Sequence, residues 1–273
     1  IIDEELIAKD RNIAKIHVYI SPEENPCEAA AFLRERLDSA GISYVLDTDN
    51  VREEDWANNW KQFFKPMNIG KKLRLIPSWD TEGDMIRSDD KNAVEAERTR
   101  LIIDPGMAFG SGQHETTRLC LELVEKYITS GALMLDIGTG SGILGIAGLL
   151  LGAKETLGVD IDPLSVKTAE ENAALNGIKD NFRAICGNLA DKVSGRYDLI
   201  SANIVADIIL QLLDDAKKLM KPNGIFIASG IIDIRRNEVA AAMDKAGLEI
   251  IEECADRGWY AIAARLKISS DPI

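Results

Sequence analysis

Leu133–Leu150 reads LMLDIGTGSGILGIAGLL: an apolar run, an aspartate at its end, three glycines within five residues, then a second apolar run of helical length. A strand that turns through glycines into a helix is built to hold a nucleotide. Small residues let the backbone approach a ligand closely, and the first turn of the helix offers unpaired N–H donors. Outward from this turn, the question is which nucleotide it holds and what stands beside it.

The sheet around the turn is legible from the order of patterns. Strands are expected at Leu133–Ile137, Thr156–Val159, Phe182–Cys186, Asp198–Ala202, Gly224–Ser229, Leu248–Ala255 and Trp259–Leu266. Helical patterns lie at Ile143–Leu151, Pro163–Asn176, Val205–Met220 and Ile234–Ala246, with Pro163 suited to a first turn and Gly177 and Gly247 to helix stops. Such alternation implies an α/β fold: a doubly wound, mostly parallel seven-stranded sheet covered on both faces. No helix separates the last two strands. They read as an antiparallel terminal hairpin placing an antiparallel strand at one edge.

The first part of the chain differs. Ile13–Ile20 alternates like a half-buried strand, Pro26–Ala40 is amphipathic and stops at Gly41, and Ile42–Leu46 reads as a second strand. A helix-like run, EEDWANNWKQFFKP at Glu53–Pro66, precedes a strand at Leu73–Ile76; its Trp56 and Trp60, spaced for one helical face, suit packing better than binding. Residues 1–79 are therefore expected to form a smaller α+β domain, the polar stretch 80–99 a linker, and residues 100–273 the nucleotide-binding domain. The chain opens on Ile1 rather than methionine, so a truncation or an absent leader is expected there.

Composition narrows the function classes. At 273 residues the chain can bury a substantial core. A formal net charge of −13 argues against a protein that mainly grips phosphate backbones. Cys27, Cys120, Cys186 and Cys254 are widely spaced, without a CxxC pair or nearby histidines, so neither a metal site nor a disulfide framework is indicated and a cytoplasmic location is expected. No membrane-spanning run is present.

Two registers of the glycine turn compete. Gly140, Gly142 and Gly145 satisfy the GxGxxG dinucleotide pattern, with Asp160 placed to bind a ribose as in NAD enzymes. Alternatively, Asp136, Gly138 and Gly140 follow the DxGxG order typical of class I S-adenosylmethionine (SAM) methyltransferases. An acid at the strand end, directly or through water, can help hold the cationic tail of SAM but would repel a pyrophosphate. Asp136 therefore favours SAM. Asp160 suits the ribose diol, and Asp162 suits the cap of the helix at Pro163. Asn203 ends the strand before IVADII and brings an amide to the carboxyl edge of the sheet, where open α/β folds bind ligands.

The segment IDPGMAFGSGQHETT, ending at Thr117, narrows the field further. Together with LDIGTGSGILGIA, GVDIDP, ANIVADII, GWYAIAARL and EEDWANNWKQFFKP, it closely resembles the PrmA family, bacterial methyltransferases of a large-subunit ribosomal protein. The likeness runs from about Glu53 to Leu266. It implies a class I methyltransferase domain preceded by a ferredoxin-like substrate-recognition domain, here incomplete. It also implies that Thr117, Gly138, Gly140, Asp160 and Asn203 bind SAM, with Asn203 acting in catalysis, and that His114 and Phe109 shape the loop over the cofactor; His114 could equally be a capping residue. Ser111 and Glu115 stand where the family commonly has Thr and Pro.

The reaction implied is SAM-dependent methylation of amino groups, lysine ε-amino and also α-amino, on a large-subunit ribosomal protein. The expected enzyme is a monomer without metal, membrane or direct nucleic-acid partner. The alternatives are a SAM-dependent methyltransferase of another protein or of RNA, an NAD-dependent oxidoreductase, and a SAM-binding protein without catalysis. The acidic charge disfavours RNA, and with only His17 and His114 the options for hydride chemistry are few.

Overall fold

The computed structural model describes residues 37, 41–46, 64–80, 98–104 and 110–267. The chain divides into two compact units, Ile1–Ala57 and Asn58–Ile273. In the smaller unit, Ile42 N–H donates to Leu37 O (3.0 Å). Residues 42–46, expected as a strand, form none among the described residues, and Ile42 and Val45 both face solvent. The expected elements Ile13–Ile20 and, apart from Leu37, which is helical, Pro26–Ala40, with Trp56 and Trp60, lie outside the described residues.

The larger unit holds two sheets. Strands β1 (Met67–Ile69), β2 (Leu73–Pro77) and β3 (Thr99–Ile103) form the small one, β1 antiparallel and β3 parallel to β2. Helix α1 (Glu115–Tyr127) packs on it, and the Glu125 carboxylate accepts from the N–H groups of Lys71 and Lys72 (both 2.8 Å) at the β1–β2 turn. Phe64, Leu73, Leu75 and Leu101 share a core cluster with Leu119 and Val124 of α1. Phe64 and strands β1 and β2 thus pack within the larger unit, which begins at Asn58.

The large sheet contains β4 (Leu133–Ile137), β5 (Glu155–Asp160), β6 (Phe182–Cys186), β7 (Tyr197–Asn203), β8 (Met220–Ile232), β9 (Leu248–Asp256) and β10 (Trp259–Leu266), in the order β6-β5-β4-β7-β8-β10-β9. All pairings from β6 to β8 are parallel, and β10 runs antiparallel to both β8 and β9. The antiparallel strand is therefore one place in from the edge. Helix α5 (Asp233–Lys245) carries the chain past the neighbouring position to β9, and β10 folds back into the gap.

Alternation along the strands sorts side chains onto two faces. Met134, Leu199, Ile227, Ala261 and Ala263 join the cluster under α1, α2 (Ile143–Leu150) and α3 (Pro163–Leu175). Leu135, Ile200, Ala202, Phe226 and Ile262 join the cluster under α4 (Ala206–Leu219) and α5. Burial on both faces explains why these strands read as near-continuous apolar runs. Chain order reverses between β4 and β7, so their carboxyl ends flank a topological switch point, where such sheets bind ligands.

Candidate active site

At that switch point the glycine turn leaves β4. Gly138 and Thr139 N–H groups both donate to Val159 O (2.8 and 3.0 Å), fastening the turn to β5. Gly138, Gly140 and Gly142 have φ of 69°, 53° and 81°, a left-handed path that residues with a Cβ rarely adopt. Gly142 is the N-cap of α2 and has no side chain to satisfy the first-turn donors. Gly145, the third glycine of the GxGxxG reading, serves packing instead: a Cβ there would lie 2.8 Å from Thr156 Cγ2 and 3.0 Å from Phe182.

Asp136 lies beneath the turn, fully buried. Its carboxylate accepts from Ser201 Oγ (2.6 Å) and Thr139 Oγ1 (2.7 Å). Burial pushes its pKa up, against the lowering by those two hydroxyls and the Gly145 N–H, and the charge of Asp160 adds to the rise. The expectation that Asp136 helps hold a cationic tail is corrected here: its carboxylate is fully buried between Ser201 and Thr139, and it shapes the turn from below.

Asp160 closes β5 on the ligand side. Its Oδ2 accepts from Gly140 N–H (2.9 Å) and its Oδ1 from Asp162 N–H (3.0 Å). Each oxygen keeps a further lone pair, so a carboxylate fixed this way can still take both hydroxyls of a ribose. Asp162 is the cap expected for α3, accepting from Leu164 N–H (2.9 Å).

Asn203, at the end of β7, donates from Nδ2 to Thr117 Oγ1 (3.3 Å). Two residues 86 positions apart in sequence thus meet beside the turn. Thr117 is buried, in the first turn of α1, and its hydroxyl faces Asn203. Gly138 faces the same segment, since a Cβ there would come 2.5 Å from Ile204 Cγ2. His114 is the N-cap of α1: its Nδ1 accepts from Thr116 N–H (3.3 Å), and its ring meets Trp259 edge-on at 5.0 Å. Glu115 lies in the helix's first turn, 3.5 Å from Arg118 and 3.4 Å from Arg257. Phe109 lies outside the described residues.

Asn172, on α3, and Asn176, the C-cap of that helix, were not singled out from the sequence. Buried Asn172 accepts from Asp104 N–H (2.8 Å) and donates to Asp104 O (2.9 Å) and Ser141 O (2.8 Å). Asn176 does the same for Ile102, accepting from its N–H (2.9 Å) and donating to its O (2.7 Å). Asn176 pairs with β3 as a neighbouring strand would, and Asn172 ties Asp104, the residue after β3, to the glycine turn. Ser141 Oγ also donates to Gly110 O (2.7 Å). Asn172 inside the helix was the available signal, because asparagine's propensity there is poor without a specific partner.

A cleft at the opposite, amino-terminal edge of the sheet, lined by residues including Glu155, Asn181, Arg183 and Tyr197, shares nothing with this group. Among the described residues no acidic, histidine or cysteine cluster could hold a metal, and no helix is long and apolar enough to cross a membrane.

The comparisons agree with this geometry. Residues 2–267 match the family model for ribosomal protein L11 methyltransferase (PrmA). A ribosomal protein L11 methyltransferase of Clostridium perfringens is 41% identical over 261 residues, covering 93% of this chain and 80% of the relative. One of Pelotomaculum thermopropionicum is 43% identical over 244 residues, covering 88% and 74%. The crystal structure of the ribosomal protein L11 methylase of Lactobacillus delbrueckii subsp. bulgaricus aligns with a TM-score of 0.66 at 33% identity, covering 75% of this chain and all of that one. The doubly wound sheet, its switch-point turn and these likenesses lead to one conclusion: this chain belongs to the ribosomal protein L11 methyltransferase (PrmA) family.

Proposed function

We propose that this chain transfers methyl groups from SAM to amino groups of ribosomal protein L11, lysine ε-amino groups and also an α-amino group, acting as a monomer in the cytoplasm with its N-terminal region recognising the substrate. The observation that carries the reading is the meeting of Asn203 with Thr117 beside Gly138, at the switch point of the sheet. The donor set suits the cofactor: a left-handed glycine turn for close approach, a fixed carboxylate at Asp160 for the ribose, and uncapped N–H groups of α2 for a carboxylate. When bound, SAM supplies a methyl group on a cationic sulfur with a neutral leaving group.

The residues have little covalent chemistry to perform. Gly138, Gly140 and Asp160 orient the cofactor, and the Asn203 carbonyl oxygen, left over by the Nδ2 bond to Thr117, accepts a hydrogen bond from the incoming amine. An amine must be neutral to attack, against an ordinary lysine pKa of about 10.4. A second cation beside the sulfonium is disfavoured, so the site itself promotes loss of that proton. The neutral amine would take the methyl group from SAM held there, with loss of a neutral thioether, and the alkylated amine would release its excess proton to water. Calorimetric titration with SAM and with NAD tests the cofactor: the account requires binding of SAM alone, and binding of NAD would return the turn to the dinucleotide reading.

A further inference from the structure

We infer that an exposed apolar strip beside Asn203, made by Val205, Ile232 and Ile234, docks an aliphatic side chain next to the target amine of the acceptor protein. This inference rests on the proposed function and names the surface that would present the amine. Large apolar side chains that stand exposed in the larger unit are few among the described residues: Ile161, Leu164, Leu175, Val205, Ile232 and Ile234. All but Leu175 lie at the carboxyl edge of the sheet, at the end of β8 or following β5, β7 or β8. Ile161 and Leu164 flank Asp160, on the cofactor side. The other three flank Asn203.

Several contacts hold this second group together. Asn203 is in register with Ser229, and Ile204 N–H donates to Ser229 O (3.1 Å), so the ends of β7 and β8 remain joined beyond the catalytic amide. Arg235 donates to Asp207 Oδ1 (2.7 Å), bridging the first turn of α5 to that of α4. Val205, 63% exposed, precedes α4, and Ile234, 79% exposed, lies in the first turn of α5. Ile232, 37% exposed, pairs across the β8–β10 ladder with half-buried Trp259, whose ring meets His114. The strip thus runs from the cap of α1 past the catalytic strand end to the outer surface.

Charge selects the occupant. Asp207, Asp233 and Glu238 surround the strip, and Arg235, bonded to both Asp207 and Glu238, offsets only one of them. Arg236 is engaged by Glu253 in a two-pronged pair. An apolar surface rimmed by excess negative charge fits a segment that carries an aliphatic side chain beside an amine, and it disfavours RNA.

The test uses Ile234→Ser, which removes the apolar contact, and Ile234→Lys, which adds a like charge facing the acceptor. Ile234 is exposed, so both variants should fold. The readouts are the KM for purified L11, the SAM Kd, and the calorimetric Kd of L11 for the chain saturated with S-adenosylhomocysteine. The expected result is a KM and an L11 Kd raised about tenfold in Ile234→Lys and less in Ile234→Ser, with kcat and the SAM Kd within about twofold of the parent. An unchanged L11 Kd in Ile234→Lys overturns the inference whatever the activity. So does a change confined to self-association in sedimentation, which would make the strip an interface between copies. If the parent binds L11 without methylating it while Ile234→Lys weakens that binding, the transfer reading fails and the docking strip stands.

Discussion

Asn203 Nδ2 donates to Thr117 Oγ1 across 3.3 Å, joining the end of β7 to the first turn of α1 at the reversal point of the sheet. The bond fixes which end of the amide faces outward. With the N–H₂ directed at Thr117, the carbonyl oxygen is available to a bound amine. Removing the amide should therefore cost chemistry rather than folding. Asn203→Ala is expected to lower kcat by about a hundredfold while moving stability by no more than about 1 kcal/mol, the worth of one ordinary hydrogen bond. Turnover close to that of the parent would take Asn203 out of the mechanism.

The same bond makes a graded prediction at Thr117. Thr117→Val keeps the shape of the side chain but removes the acceptor, freeing the Asn203 amide to rotate. Turnover should drop about tenfold, with Thr117→Ser recovering most of it, because hydroxyl geometry rather than packing sets the orientation. Equal activity of the Val and Ser variants would show that Thr117 acts only as filler.

Asp160 is braced by the N–H groups of Gly140 and Asp162. An amide at this position can accept from only one of those two donors and offers fewer lone pairs to a ribose. Asp160→Asn should weaken SAM binding about tenfold or more in calorimetry. An affinity within twofold of the parent would place the ribose elsewhere.

Asp136 gives a prediction in pH. Its folded pKa is raised above the ordinary carboxylate value, chiefly by burial. A group of this kind contributes its full stability below the unfolded pKa, about 3.9, and loses that contribution as pH rises through its folded pKa. Asp136→Asn removes the titration but can still meet Ser201 and Thr139. The stability of the variant relative to the parent should increase as pH is raised from about 4, measured by thermal unfolding across a pH series. A difference that shrinks with rising pH would mean that the buried carboxylate is stabilised in its ionised form.

Two glycines near Ile204 separate backbone from side-chain limits. A Cβ at Gly230, whose φ is 87°, would lie 2.3 Å from Ile204 O; a Cβ at Gly138 would lie 2.5 Å from the Ile204 Cγ2 methyl. A methyl can turn away, whereas a strand-end carbonyl cannot. Gly230→Ala should therefore destabilise by about 3 kcal/mol or more and Gly138→Ala by less, with Gly138→Ala losing SAM affinity instead. The reverse order in denaturant unfolding would contradict this packing.

The large sheet was legible because its strands and helices carry strong, uninterrupted patterns; Phe182–Cys186 and Trp259–Leu266 fall where the sequence puts them. Strand order was less so. Periodicity says that the last two strands are adjacent but not that β10 inserts inside β9. Strands β1 and β3 were missed: each is short, and they are covered by α1, α2 and α3 rather than announced by alternation. At the site, residue types and spacing pointed to Gly138, Asp160 and Asn203. They misjudged Asp136, since a strand-end acid reads the same whether it faces a ligand or the interior. Asn172 went unnoticed because its partners are backbone groups, which sequence does not display.

The most direct test of the account is methyl transfer itself. Purified chain, SAM and unmethylated ribosomal protein L11 should yield L11 whose lysine or α-amino groups carry added methyl groups in peptide mass spectra, with the yield abolished or strongly reduced in Asn203→Ala. L11 left unmodified by a chain that binds SAM, or methyl groups found only on RNA, would contradict it.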